Sequence, residues 1–444
     1  MIMKANKIKK TKAHSLEKKI RDKTARIGIV GLGYVGLPLA VAFAREGFNV
    51  IGIEQDASKI RSINTGKNYI GDVDNSELKK LAGSKKIRAT DDYEELKHTD
   101  AICICVPTPL DKNKQPDISF VTSTAEKVSK IIHKDQLIVL ESTTYPGTTE
   151  EVLKPILERS GLKAGHDFFL AFSPERVDPG NKKYKIKNIP KVVGGINKKS
   201  TELTALLYGQ VVDMVHKVSS PRVAEIEKLL ENVFRSVNIA LVNELSILCK
   251  KMDIDVWEVI NAAKTKPYGF MPFYPGPGIG GHCIPLDPFY LAWKAREYGI
   301  NAKFIELAGE VNDRMPEYVV ELIQNSLNKK GMAIKGSNIV VYGVAYKKDI
   351  SDQRESPSLK IIELLMKNEA KISYNDSYVP KIHLNGTVLH SRDVNAIKDC
   401  DCAVIATDHS YYDYKAIVKK ASIVIDTRNA TNGITDRSGK IVKI

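Results

Sequence analysis

Residues 26–54 read RIGIVGLGYVGLPLAVAFAREGFNVIGIE, and this stretch constrains the fold more than any other in the chain. Residues 26–30 form an apolar run of the length of a buried strand. Gly31, Gly33 and Gly36 follow, then an apolar helical segment from about Tyr34 to Arg45. A second strand, NVIGIE, ends on Glu54, 18 residues beyond the last glycine. A glycine triplet of this spacing means little alone. Between a strand and a helix, with an acid at that distance, it specifies a crevice for a dinucleotide. The glycines permit a tight turn and close approach to a pyrophosphate, and the helix N-terminus offers it unpaired N–H groups. Glu54 is placed to accept hydrogen bonds from the adenosine ribose. Its charge repels a 2′-phosphate and no arginine follows at once, so NAD is expected rather than NADP. Asp56 is the competing acid, less favoured because it falls past the strand end.

Further apolar runs at 101–107, 137–143, 168–175 and 191–195 alternate with helical stretches, the rhythm of a parallel sheet. Ligands of such sheets sit at the strand carboxyl ends, which here read VPTP (106–109), ESTTYPGT (141–148) and SPERVDPGN (173–181). From Pro221 apolar residues recur at helical spacing for some 30 residues, long enough to bridge domains or pair with a partner. Then NIVVYGVAYKKD (338–349) repeats the opening pattern, with Gly343 in the place of Gly31 and Ala345 in that of Gly33. Lys347 and Lys348 stand where the rest of the glycine motif should be, which suits a nucleotide diphosphate other than NAD. The expected architecture is α/β: two Rossmann-like parallel-sheet domains joined by an all-α central domain with a long helix. The expected boundaries are a basic arm (1–24), a dinucleotide domain (25–212), a helical and dimerisation domain (213–325) and a second nucleotide domain (326–444). A site in the cleft between the two nucleotide domains is expected.

The chain has 444 residues, too many for one ordinary core, and its 43% hydrophobic and 27% charged residues are those of a soluble globular protein. No apolar run approaches a membrane span, and no apolar region follows the N-terminus as in a secretory signal. Six cysteines without a CxxC pair make neither a disulfide framework nor a metal site. Cys103 with Cys105, and Cys400 with Cys402, alternate on apolar strands and are expected to pack in cores. A reducing cytoplasm fits this usage. Of the net charge of +14, residues 1–26 carry +8. Such an arm can bind nucleic acid or an acidic membrane surface, but without interleaved aromatics a base-stacking role has no support, and it is read as a solvated, partly disordered tail.

The stretch PGPGIGGHCIPLDP (275–288) sets one thiol, Cys283, among glycines and prolines, which bring a backbone close to a ligand and stiffen the loop that does so. With GLGYVGLPLA, ESTTYPGT, SPERVDPGN, EKLLENVF and AYKKDISDQRESPS in this order, residues 25–444 resemble the nucleotide-sugar 6-dehydrogenases, the group containing UDP-glucose dehydrogenase. The resemblance implies oxidation of a sugar C6 alcohol to a carboxylate with reduction of two NAD molecules. A thiol suits the second oxidation, because its hemiacetal gives up a hydride that an aldehyde does not and its thioester is easily hydrolysed.

By this resemblance Cys283 is the nucleophile. Lys228 and Asn232, spaced i, i+4 on the long helix, stabilise the oxyanion. Asp287 assists proton handling, Glu175 is a candidate base for thioester hydrolysis, and Thr144 holds the water. The competing reading of Lys228 is a surface lysine paired with Glu225 or Glu231. His282 receives no catalytic role. Cofactor contacts are implied at Gly31, Gly33, Tyr34, Val35, Gly36, Glu54, Val106, Thr108, Thr143 and Arg354. Substrate contacts are implied at Glu175, Arg176, Lys228, Phe273, Tyr274, Gly280 and Lys347. No metal is implied.

The UDP-glucose branch resembles NPEFLREG where this chain has SPERVDPGN. That motif, GHCIPLDP and KPYGFMPFYPGPG are similar to the branch acting on N-acetylated hexosamines, and most similar to UDP-N-acetylglucosamine 6-dehydrogenases. UDP-N-acetylmannosamine is the near alternative and UDP-glucose a further one. The family implies a homodimer or larger assembly through the long helix, and a place in surface polysaccharide or glycan precursor synthesis. A two-electron hydroxyacid dehydrogenase is the rival enzyme class; it needs neither Cys283 nor a second nucleotide domain. A non-catalytic binder using the basic arm is the rival outside enzymes.

Overall fold

The computed structural model describes residues 16–444 apart from 72, 112–113, 179–180, 182, 282–283 and 395–399. The described chain divides into two compact units, one of residues up to 230 with 289–298, the other of 231–288 with 299–444.

The first unit is built on eight strands: β1 (Arg26–Val30), β2 (Asn49–Ile53), β3 (Ile87–Thr90), β4 (Ala101–Ile104), β5 (Leu137–Leu140), β6 (Phe169–Phe172), β7 (Lys191–Gly195) and β8 (Val215–Lys217). Their order in the sheet is β3-β2-β1-β4-β5-β6-β7-β8. The pairs are parallel except β6 with β7, which run antiparallel across the connection 173–190. The strand order reverses between β1 and β4, which opens a crevice at their carboxyl ends. Both faces are covered, so the strands are apolar throughout rather than alternating. Ile27, Ile29, Cys103 and Val139 pack into one layer, and Val30, Ile102, Ile104 and Ile138 into the other. Two strands, β3 and β8, carry too little apolar sequence to stand out, and β8 falls inside the stretch expected to be all-helical.

The second unit holds a sheet ordered β10-β9-β13-β14-β15, all parallel. These strands are β9 (Asn338–Tyr342), β10 (Lys371–Asn375), β13 (Cys400–Ile405), β14 (Ala421–Asp426) and β15 (Ile441–Lys443). A separate hairpin joins β11 (Lys381–Leu384) to β12 (Thr387–His390). The repeat read at 338–349 is thus a true second parallel sheet, with its own switch point between β9 and β13. Cys103 and Cys105 share a face. Cys400 and Cys402 are both buried but belong to opposite layers, Cys400 lying at the first residue of β13. Burial pushes the Cys103 thiol up to about 12, so it is a packing group rather than a nucleophile.

The long helix runs from Pro221 to Lys251, as its periodicity requires. Helices Asp287–Glu297 and Lys303–Asn328 follow it. Among the described residues no helix is long and apolar enough to cross a membrane.

The solvated-tail reading of residues 1–24 is corrected for its described part. Residues 16–21 are helical, and Leu16 and Ile20 are buried in the core of the first unit. Glu17 pairs with Lys199, and Lys19 with Asp100 at 2.7 Å. The basic composition hid a two-residue apolar face with the i, i+4 spacing of a helix. Residues 1–15 lie outside the described residues. Ile20→Ala should lower the unfolding free energy by about 2–5 kcal/mol, measured by chemical denaturation. A change within about 0.5 kcal/mol would restore the tail reading.

Candidate active site

The crevice of the first unit begins at Gly31, whose φ of +88° few other residues adopt. A Cβ there would lie 2.6 Å from the Cys105 carbonyl oxygen, so the glycine lets two strand ends meet. At Gly36 a Cβ would meet the Gly31 oxygen at 1.8 Å, so helix and strand touch backbone to backbone. At Gly33 a Cβ would meet no protein atom within 4 Å. That position faces open space, as close approach to a pyrophosphate demands. Helix Gly36–Arg45 starts at Val35 without a side-chain cap, and Tyr34 is exposed beside it.

Glu54 follows β2 with its carboxylate against the glycine turn, accepting from Leu32 N at 3.2 Å and Gln55 N at 2.9 Å. Asp56 is taken up as the N-cap of the next helix, accepting from Ser58 N and Lys59 N. The two acids therefore separate, one facing the glycine turn and one capping a helix. The residues and the open turn fit a dinucleotide whose ribose meets Glu54.

Beyond β4 and β5, the Thr108 hydroxyl donates to the Thr143 carbonyl at 2.8 Å, and Ser142 Oγ donates to the Val106 carbonyl at 2.7 Å. Tyr290 donates to the Thr108 carbonyl. Thr144 is buried, and its Oγ1 has no hydrogen-bond partner among the described residues. A buried hydroxyl left alone costs about 1–3 kcal/mol, so its presence calls for a reason.

Glu175 follows β6. Its Oε1 accepts from Arg176 N at 2.7 Å and Val177 N at 2.8 Å, and its Oε2 pairs with Lys191 at 3.1 Å. Lys191 is buried and also holds Glu141 at 2.6 Å, while Glu141 accepts from the buried Tyr208 hydroxyl. Burial pushes the Glu175 carboxyl up, but the Lys191 charge and the two amides outweigh it and hold it below the usual carboxylate value. Burial dominates at Glu141 and raises it. Sequence reading missed this chain of groups. Its signals were a lysine heading the apolar strand KVVGG and an acid closing LIVLE. Arg176 directs its guanidinium to the Pro190 carbonyl at 2.7 Å and toward Glu227, both within the protein.

Lys228 is buried, which overturns the surface-lysine reading. Glu225, its suggested partner, is itself buried and accepts from Gly147 N at 2.6 Å and Thr149 N at 2.9 Å.

In the second unit, Asn232 is fully buried and donates to Asp287, which opens helix Asp287–Glu297. The glycines of PGPGIGG answer to packing. A Cβ at Gly280 would lie 2.6 Å from Tyr346 Cβ and 2.9 Å from the Glu355 oxygen. Gly278, at φ +128°, lies against Pro357, and Gly281 N donates to the Arg354 carbonyl at 3.0 Å. The loop thus lies flat on residues 346–357, the segment that carries Lys347. Cys283 and His282 lie outside the described residues. Phe273 packs edge-on against Phe234 at 5.6 Å, and Tyr274 stacks on Trp257 at 5.7 Å. Arg354 forks onto Asp352, with Nη2 at 2.6 Å. Arg428, which sequence reading passed over, lies beside Gly276, where a Cβ would stand 2.8 Å from its Nη1.

Two parallel-sheet crevices with a helical segment between them in sequence, the first shaped for a dinucleotide, define a nucleotide-binding protein of the dehydrogenase type. Three family models match in series. They describe the NAD-binding domain (residues 25–212), the central domain (222–314) and the UDP-binding domain (340–433) of the UDP-glucose/GDP-mannose dehydrogenase family. The chain belongs to this family, uses NAD, and carries its UDP-binding domain. It is 39% identical to Protein CapL of Staphylococcus aureus over 91% of this chain and 96% of that one. It is 37% identical to a UDP-N-acetyl-D-glucosamine 6-dehydrogenase of Pseudomonas aeruginosa, over 80% of this chain and 84% of that one. The structure of a UDP-D-ManNAc dehydrogenase from Pyrococcus horikoshii superposes with a TM-score of 0.86 at 33% identity, covering 94% of this chain and 99% of that one.

The Lys191 chain of groups makes a pH prediction. Glu175, depressed in the folded state, contributes stability above its unfolded value that is lost as pH falls through its folded value. Lys191→Met leaves Glu141 and Glu175 buried without a cation, and the folded values of both rise. The destabilisation should therefore grow as pH rises from 5 to 8, reaching about 3–5 kcal/mol by urea unfolding. Equal loss at both pH values would show that the pair does not set the charge of Glu175.

Proposed function

We propose that this protein oxidises the C6 alcohol of a UDP-N-acetylhexosamine to the uronate, with UDP-N-acetylglucosamine as first choice. The observation that carries the reading is the three family domains in one chain together with the motif SPERVDPGN. The relative named for UDP-N-acetyl-D-glucosamine, 37% identical, supports the sugar. UDP-N-acetylmannosamine is a second reading, favoured by the fold match to the Pyrococcus horikoshii enzyme.

Bound NAD supplies the hydride acceptor, one molecule for each of two oxidations. The C6 alcohol loses a proton and a hydride to become the aldehyde. The Cys283 thiol adds to the carbonyl carbon, giving a thiohemiacetal whose hydroxyl carries the proton. Lys228 and Asn232 stabilise the oxygen at that carbon as charge develops. Loss of the second hydride and the hydroxyl proton gives the thioester. Water then attacks, the carbon–sulfur bond breaks, and carboxylate and free thiol result. Thr144 Oγ1, with its bonding capacity unspent, suits the role of holding that water. Glu175, held ionised by Lys191 and two amides, is assigned the role of accepting that water's proton. Asp287, bonded to Asn232, orients that amide and shares the proton traffic. Arg176 is assigned to shaping the Glu175 loop rather than to direct substrate contact, because its guanidinium is engaged by protein groups.

The product is a uronate precursor for surface polysaccharide or glycan, made in the cytoplasm. The long helix exposes Val223, Ile226, Leu230, Phe234, Leu241 and Leu248, a stripe at helical spacing that suits a homodimer contact.

Purified protein should yield two NADH for each UDP-N-acetylglucosamine, followed by absorbance, and Cys283→Ser should yield at most one. UDP-N-acetylmannosamine, UDP-N-acetylgalactosamine and UDP-glucose run in parallel. Two NADH from another of these sugars would keep the chemistry and change the substrate. An unaffected Cys283→Ser would remove the thioester.

A further inference from the structure

The loop after β9 carries Lys347, and both of its ends are fastened by one buried pair. At its start, Val344 N and Ala345 N donate to Asp376 Oδ2 at 2.8 and 3.0 Å. Asp376 is fully buried, and its other oxygen accepts from Tyr378 N at 2.9 Å and Val379 N at 3.2 Å. The same Oδ2 lies 3.0 Å from Nε2 of His409, also fully buried. Nδ1 of His409 accepts from Asp349 N at 2.9 Å, which is the loop's far end. An acceptor at Nδ1 places the ring proton on Nε2, facing the carboxylate.

Asp349 stands in the left-handed region at φ +59°, a conformation that a non-glycine residue keeps only when its surroundings hold it. The surroundings do so twice more. Ser410 donates to the Asp349 carboxylate from its N at 2.8 Å and from its Oγ at 2.6 Å. Thr407 Oγ1 donates to the Ala345 carbonyl at 2.6 Å. The ring of His409 is further pinned by Tyr411, stacked at 5.4 Å. Asp376 follows β10, and His409 follows β13, so the two ends of the loop are referred to two rigid strands.

We infer that the His409–Asp376 pair is a positioning device that fixes the Lys347 loop for the diphosphate of a nucleoside diphosphate sugar, itself touching no ligand. The inference rests on the reading of Lys347 as a substrate-binding residue. A lysine carries about 2 kcal/mol of rotamer entropy on a flexible stem, so a fixed backbone beneath it removes part of the ordering that binding otherwise requires. Nothing in the sequence TDHSYY alone assigns this role to the histidine; the juxtaposition of its two ring nitrogens with the two loop ends does.

The test uses the full chain and four measurements: amide exchange of residues 343–350, calorimetric affinity for UDP, calorimetric affinity for NAD, and melting temperature. His409→Leu should exchange the loop amides at least about tenfold faster and weaken UDP binding at least about tenfold, with NAD affinity unchanged. His409→Asn places an amide oxygen where Nδ1 was and should keep UDP affinity within about threefold of the original. His409→Gln reaches toward Asp376 instead, leaves Asp349 N unpaired, and should resemble the leucine variant. The Asn and Gln pair decides the matter if the leucine variant does not fold. Equal UDP affinities for Asn and Gln, or loop exchange unchanged in His409→Leu, would overturn the inference. An original protein that does not bind UDP, with loop exchange still accelerated in His409→Leu, would sink the substrate reading and leave the fastening intact.

Discussion

The first unit depends on a contact between two backbones. The Gly31 carbonyl oxygen occupies space that any side chain at Gly36 would need. That contact lets the helix start directly at the strand end, and its uncapped N-terminus then faces the crevice. Gly31 meets the next strand's end at Cys105 in the same way. Cofactor position, the reach of Glu54 and the threonine-rich strand ends all follow from how closely these segments meet.

The second unit repeats the device and changes its use. Gly343, at φ +81°, presses against Thr407, where a Cβ would lie 2.5 Å from the threonine Cβ. Two residues on, the parallel ends. Gly33 opens on space, whereas Ala345 is fully buried and its N–H is bound by Asp376. The turn that in the first unit opens on space is here closed by protein. In the reading proposed, the ligand-facing role passes outward to Lys347, on a loop fastened from behind. One strand-end geometry thus serves a dinucleotide in one unit and, in the reading proposed, a UDP-sugar in the other.

Much of this was legible in the sequence, and the physical reason is local. A parallel sheet buried on both faces writes itself as apolar runs, and glycine turns write themselves as spacing. Hence β1, β2, β4, the long helix and the repeat at Gly343 were all expected within a few residues. What stayed hidden depends on residues far apart in the chain. Lys191, Glu141 and Tyr208 meet only because β5 and β7 and a later helix fold together. His409 and Asp376 are 33 residues apart and neither stands in a motif of its own. The helix at 16–21 was masked by its charge, because two apolar residues among lysines look like a tail until a core covers them. Thr144 was named from resemblance; its unspent hydroxyl became visible only when its neighbours were in place.

The central claim is that the chain carries two separate nucleotide crevices, NAD in the first and UDP in the second. Calorimetric titration of Gly33→Val with each ligand tests it most directly, because that side chain meets no protein atom as it leaves the backbone. NAD affinity reduced at least about tenfold, with UDP affinity and melting temperature unchanged, is the expected result. Unchanged NAD binding, or NAD and UDP affinities falling together, would contradict it.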